Sequence, residues 1–251
     1  LEKAGVMRPF KTCIYAQEKP PAALLKYAKN KSVNLLIHNN DYRVNLGSSN
    51  WSLKSKHNSI NEIPNLKMIG DYQYNYAAAS LLALDAILPE CLEDHDVIKK
   101  ALSETEISGR FQYLSKSPDI ILDVAHNEDA AKSLSDNIKK IGYDKIIVVL
   151  GVLADKDVYS IVEPFSSLVD HWYIGTINSE RGMNSDEIKF RINSIYKNKL
   201  SIGTYASVTS AFNAAKYDQM KDSLLLVYGS FYTVSEALKA HLLEHKKGNA
   251  I

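Results

Sequence analysis

From residue 118 onward, short uninterrupted apolar runs alternate with longer mixed segments. PDIILDVA (118–125) precedes EDAAKSLSDNIKKIG (128–142), and KIIVVLGVL (145–153) precedes KDVYSIVEPFSSL (156–168). HWYIGTI (171–177) leads to SDEIKFRINSIYK (185–197), and SIGTYA (201–206) leads to SVTSAFNAAKYDQM (207–220). SLLLVYGSF (223–231) runs into TVSEALKAHLLEHKK (233–247). The apolar runs do not alternate in polarity, as expected of strands covered on both faces of a parallel sheet. Strand then helix, repeated along the chain, predicts an α/β domain with a Rossmann-like, doubly wound, mostly parallel sheet.

The first hundred residues follow another pattern. TCIYA (12–16) and VNLLIH (33–38) read as strands around a helix at PAALLKYAKN (21–30). The polar stretch 39–66 reads as short antiparallel strands or loops. NYAAASLLALDAIL (75–88) is a helix, because it is rich in alanine and leucine with no breaker inside. DHDVIKKALSE (94–104) reads as another. TEISGRF (105–111) holds a glycine and no long apolar run, so the boundary falls there, giving domains 1–107 and 108–251.

The formal net charge of +1 creates no global field toward nucleic acid or anionic lipid. No apolar stretch approaches the roughly 20 residues that cross a bilayer. The first residues carry no secretory pattern. Cys13 and Cys91 stand in unrelated contexts, which suits a reducing cytoplasm. The opening LEKAGVMRPF has no initiator methionine and reads as the middle of a longer chain.

DVAHNEDAA (123–131) follows PDIIL directly. In open α/β sheets, ligands bind beyond the carboxyl ends of the strands, where Asp123 and His126 are expected. Asn127 can cap the next helix, and Glu128 and Asp129 suit its dipole. A carboxylate inside IILDVA costs several kcal/mol in desolvation unless it is paired or meets a polar ligand. The residues alone leave both readings open for Asp123, and His126 can equally partner a nearby carbonyl. HLLEH (241–245) fits an inverted zinc-protease pattern, but with no plausible third ligand or cleft around it, it reads as a solvated helix end. The 15 tyrosines are scattered and read as core and rim residues.

GRFQ followed by ILDVAHN resembles the C-terminal domain of folylpolyglutamate and dihydrofolate synthases, in the Mur ligase superfamily. EKAGVMRP (2–9), GVLADKD (151–157), SERG (179–182) and VYGSFYTV (227–234) match further family motifs in the right order. The resemblance covers almost the whole chain and is nearest to the bifunctional bacterial type. It implies that residues 1–107 are the C-terminal part of a central ATPase domain and 108–251 the complete C-terminal domain. The family's phosphate loop, G-T-N-G-K-G, and its upstream metal-binding histidine and glutamate are absent from this sequence. The chain alone is therefore expected to be inactive.

The resemblance implies an ATP-dependent ligase that joins L-glutamate to dihydropteroate or folate through an acyl phosphate, with Mg2+ and a monovalent cation. Lys3 matches a carbamylated lysine that helps hold the magnesium, leaving no direct metal ligand in this chain. Arg110, Asp123 and Asn75 match ATP contacts, although aligning the apolar positions of the helix puts Tyr76 where the family has its asparagine. His126 matches a catalytic histidine near the phosphates, and Lys156 and Ser230 fall at positions suited to substrate. Glu128 replaces the family's proline. Asp123 and His126 are expected to line a cleft facing Arg110. The protein is expected to be a cytoplasmic monomer without nucleic-acid or membrane partners. A cell-wall Mur ligase and a non-catalytic nucleotide-binding or scaffold module are the alternatives.

Overall fold

A computed structural model describes residues 2–248 except His57, with side chains over 4–244, again without His57. The chain divides into two compact units, Leu1–Glu106 and Ile107–Ile251.

The first unit opens with a 3-10 turn, Glu2–Val6, and continues through β1 (Thr12–Tyr15), α1 (Ala22–Asn30) and β2 (Asn34–Ile37). β3 (Tyr42–Leu46), β4 (Asn50–Ser55) and β5 (Ser59–Pro64) precede α2 (Tyr72–Ile87) and α3 (His95–Glu104). β1 and β2 pair in parallel, and β3-β4-β5 form an antiparallel sheet. β4 alternates cleanly: Trp51 and Leu53 are buried, Asn50 and Lys54 exposed. Period-two burial fixes the register, since a one-residue slip would put Trp51 in water. Trp51, Leu53, Ile60 and Ile63 pack with Ala77, Ala78, Leu81 and Leu82 of α2 into one core. The helix expected at 75 begins three residues earlier. Gln73 is buried, and Tyr74 packs edge-on to Trp51 at 5.6 Å, so tertiary contact recruits that turn.

The second unit contains β6 (Gln112–Lys116), β7 (Asp119–Leu122), α4 (Glu128–Ile141), β8 (Ile146–Leu150) and α5 (Val158–Val162). β9 (His171–Gly175), α6 (Ser185–Tyr196), β10 (Ile202–Tyr205), α7 (Val208–Asp218), β11 (Leu224–Tyr228) and α8 (Phe231–Gly248) complete it. The six-stranded sheet runs β10-β9-β8-β11-β7-β6. It is a mixed α/β fold in which every neighbouring pair is parallel except β6–β7. β8 and β11 are central and buried at every residue, which is why their sequences are uninterruptedly apolar. Val149, Leu225 and Val227 share a core with Ala211, Phe212 and Ala215 of α7 and Ala237 of α8. Each fully buried aliphatic or phenylalanine side chain there contributes roughly 1.5–3 kcal/mol. Helix starts are fixed locally, for instance by Asn127, which accepts from Ala130 N at 3.0 Å.

The chain runs from β7 past the position of β11 to β8, β9 and β10, then returns to insert β11 between β7 and β8. The carboxyl ends of β7, β11 and β8 therefore meet where the strand order reverses, the usual place for a ligand crevice in such sheets.

Candidate functional site

Two loops meet at the carboxyl end of β7. Asp123 continues the strand pairing, its N–H donating to Val227 O at 2.9 Å. Its side chain is only 4 % exposed. One carboxylate oxygen accepts from Phe111 N and the other from Ala125 N, each at 2.8 Å. Val124 N in turn donates to Gly109 O at 2.8 Å. The GRF segment is thus stitched to the DVA segment on both sides of Arg110. Phe111 sits at φ 45°, an uncommon conformation for a side chain of that size, and the Asp123 carboxylate is what holds its N–H there. Gly109 is at φ 72°, and a Cβ on it would lie 2.8 Å from Val124 Cγ1, so glycine is needed. Burial pushes the Asp123 carboxyl above the usual carboxylate range, while the Phe111 and Ala125 amides and the charges of Arg110 and His126 pull the other way.

His126 is half-buried and its Nδ1 lies 2.9 Å from Val124 O. A carbonyl can only accept, so Nδ1 carries a proton and Nε2 is left for other partners. The Arg110 guanidinium lies 6.0 Å from the centre of the Phe231 ring, and the His126 ring centre is 6.4 Å from that ring. Phe231 opens α8 and is 60 % exposed. Arg110 forms no ion pair among the described residues, so its forked donors are available to an anion.

The neighbouring strand ends are closely packed. Gly229 lies at φ 117°, and a Cβ there would stand 2.4 Å from Gly151 O. Ser230 is buried; its hydroxyl accepts from Thr233 N at 3.0 Å and lies 2.7 Å from Thr233 Oγ1, which itself donates to Gly151 O at 2.8 Å. The Ser230 side chain therefore caps α8 and ties β11 to β8. Beyond β8, Asp155 binds Lys156 and Arg181, each at 2.9 Å. These two cations hold the exposed Asp155 carboxyl down at about 2. Gly182 of the SERG motif is compulsory, because a Cβ there would lie 1.8 Å from Ile177 O.

Arg110, Asp123 and His126 thus come together in the second unit, with Ser230 at the end of β11 and Lys156 on the loop after β8. Asn75 and Lys3 belong to the first unit. Asn75 is half-buried in the first turn of α2, which Asp71 precedes, so it is not a cap; Tyr76 beside it is 57 % exposed. Lys3 lies in the opening 3-10 turn, and its side chain is outside the described residues. Phe231 escaped the sequence reading, although its place in GSF, directly after β11, was a signal. In the HLLEH segment Leu242, Leu243 and Glu244 are exposed, as a solvated helix end requires, and Glu244 accepts from Lys216 of α7, while His241 is buried. The side chain of His245 is outside the described residues. Among the described residues, no group of three or more His, Cys, Asp or Glu is placed to hold a metal ion, and no helix is long and apolar enough to cross a membrane.

The mostly parallel α/β sheet of the second unit carries a guanidinium and an imidazole at its carboxyl edge, and its residues 109–231 match the glutamate ligase domain of the Mur ligase family. Over 244 residues and 97 % of its length, the chain is 30 % identical to the dihydrofolate synthase/folylpolyglutamate synthase of Escherichia coli (strain K12), covering 54 % of that protein. E. coli FolC in complex with DHPP and ADP superposes with a TM-score of 0.81 at 28 % identity, covering 100 % of this chain and 56 % of that one. The Yersinia pestis bifunctional folylpolyglutamate synthase/dihydrofolate synthase complexed with AMPPNP and Mn ion gives a TM-score of 0.80 at 26 % identity, over 98 % of this chain and 55 % of that one. The chain is homologous to these ligases and spans about half the length of the relatives it matches.

Proposed function

We propose that the chain acts as the C-terminal portion of an ATP-dependent ligase that adds L-glutamate to dihydropteroate or folate. In this reading a substrate carboxylate takes the γ-phosphate of ATP and releases ADP. The glutamate amine then attacks the acyl carbon, phosphate leaves and an amide forms. The observation that carries the reading is the cluster of Arg110 and His126 around Phe231, at the edge where the strand order reverses. Homology to enzymes crystallised with ADP or AMPPNP, and a family whose name specifies glutamate, support it.

Arg110 binds phosphate or a purine face through its fork. His126 donates Nδ1–H to Val124 O, so Nε2 faces the nucleotide as an acceptor in the neutral ring and donates to developing negative charge only when the ring carries both protons. Asp123 contributes mainly by holding the Arg110 loop; a ribose contact would use lone pairs left by its two amide partners. Asn75 is the further nucleotide contact. Lys156 and the main chain at Ser230 face glutamate or phosphate, because the Ser230 hydroxyl is already committed to the α8 cap. Lys3, as a carbamate, would join the nucleotide phosphates in holding Mg2+. The described side chains do not by themselves make a magnesium site; a monovalent cation belongs to the same reading. The enzyme would work as a cytoplasmic monomer, without nucleic acid or membrane partners.

The test supplies ATP, L-glutamate and either a dihydropteroate or a UDP-muramyl peptide to the full-length protein of which this chain is proposed to be the C-terminal portion. Glutamate-dependent ADP release with the pterin is expected. Release only with the muramyl peptide would overturn the substrate assignment.

A further inference from the structure

We propose that Phe231 is a positioning residue: its ring orients the Arg110 guanidinium toward the nucleotide and acts through that group. This rests on the reading of Arg110 as a nucleotide contact given above. The main chain around Arg110 is fixed from both sides, by Val124 N donating to Gly109 O and by Phe111 N donating to Asp123, each at 2.8 Å. Neither bond reaches the end of the side chain. Among the described residues the guanidinium forms no ion pair and no hydrogen bond. Asp123 attracts it without bonding to it, because both carboxylate oxygens already accept from main-chain amides. What the guanidinium does meet is the Phe231 ring, whose centre lies 6.0 Å from Arg110 Cζ. That separation is within reach of a cation–π contact, and a planar guanidinium stacks on aromatic faces.

Phe231 is itself rigidly carried. The Ser230 hydroxyl accepts from Thr233 N at 3.0 Å, and Thr233 Oγ1 donates to Gly151 O at 2.8 Å, so the first turn of α8 is tied to the end of β8. Thr233 and Val234 are buried, whereas Phe231 on the same turn stays exposed. Exposure alone would mean little, since single apolar side chains are common on surfaces. The approach of the GRF loop gives it meaning. A Cβ on Gly109 would lie 3.2 Å from Val234 Cγ1 as well as 2.8 Å from Val124 Cγ1. Glycine at 109 therefore seats the loop on the first turn of α8, and the next side chain, Arg110, meets the exposed ring of that turn. The His126 ring centre is 6.4 Å from the same ring, so Phe231 adjoins both groups assigned to the nucleotide. An unrestrained arginine loses much rotamer freedom when it binds. An aromatic face that limits its directions beforehand reduces that loss. The gain is in binding, shared by ground state and transition state, so it belongs in KM for ATP rather than in kcat.

The experiment is a double-mutant cycle in the full-length ligase: the parent, F231L, R110A and F231L/R110A, with F231Y beside them. KM for ATP, kcat and Tm are measured for each. F231L keeps an apolar side chain and removes the π face. It should raise KM for ATP about three- to tenfold, with kcat changed less than about twofold and Tm within about 2 °C. F231Y keeps the face and should stay within about twofold of the parent. In the R110A background F231L should add less than about twofold, because the group it acts through is gone. F231M repeats the test if F231L folds poorly. An equal penalty in both backgrounds would overturn the proposal, since the ring would then reach the nucleotide without Arg110. Parent-like KM in F231L, with R110A impaired, would overturn it too. Either result leaves the nucleotide reading standing. ATP affinity untouched by R110A would overturn that reading and this proposal together.

Discussion

Replacing Asp123 by asparagine should cost stability as well as any nucleotide affinity. The parent carboxylate accepts two backbone N–H bonds at 2.8 Å in a site 4 % exposed. Asparagine keeps one acceptor and turns an NH2 toward the other N–H, so one charge-assisted bond is lost and a buried donor is left unpaired. Those losses come to roughly 3–4 kcal/mol. About 1 kcal/mol returns because no charge is then desolvated, consistent with a carboxyl already pushed upward by burial. The net is about 2–3 kcal/mol, or a fall in Tm of about 8–10 °C for a unit of this size. Urea and thermal unfolding measure it, with m unchanged if the denatured state is unaffected. The GRF loop should loosen first, seen as faster hydrogen exchange at Phe111 and Val124. A drop of under 2 °C with normal protection at Phe111 would refute the claim that this carboxylate holds the Arg110 loop.

Gly229→Ala should destabilise by at least about 3 kcal/mol, since it combines φ 117° with a Cβ 2.4 Å from Gly151 O; unfolding midpoints check it. The Asp155 carboxyl should titrate near 2 by NMR. Its folded-state value lies below the ordinary 3.8, so its contribution to stability is present above 3.8 and lost as pH falls through about 2. Arg181→Ala should raise that midpoint without restoring 3.8, because Lys156, the larger cause, remains. Lys3→Ala should abolish most glutamate-dependent ATP turnover in the full-length ligase, with mass spectrometry of the parent at high bicarbonate finding a carboxyl adduct on Lys3.

The strand–helix repeats of the second unit were legible because β8 and β11 are covered on both faces, and that burial writes itself as IIVVL and LLLVY. The break between units, after Glu106, lies inside the stretch 105–111 that the sequence marks. β6 was not legible: Gln112 to Ser115 are half-buried and Lys116 is exposed, with no apolar run, and its antiparallel partner β7 defines it. The start of α2 depended on the contact of Tyr74 with Trp51, a long-range event. The sequence could mark Asp123 as needing a partner. It could not reveal that the partners are two main-chain amides, because one belongs to Phe111 in a left-handed conformation that only the folded loop imposes. The HLLEH segment is a solvated helix end at Leu242, Leu243 and Glu244, and among its described residues His241 alone is buried, because burial follows the face of α8 rather than the local composition.

The most direct test of the nucleotide site is the apparent affinity for ATP of Arg110→Ala in the full-length ligase, measured beside its Tm. Arg110 is half-buried, forms no ion pair among the described residues and is held between the Gly109 and Phe111 backbone bonds, so truncation should leave Tm within about 2 °C. Losing a forked contact to phosphate should weaken ATP binding by about ten- to a hundredfold. Unchanged ATP affinity with unchanged Tm would contradict the assignment of this edge as the nucleotide site.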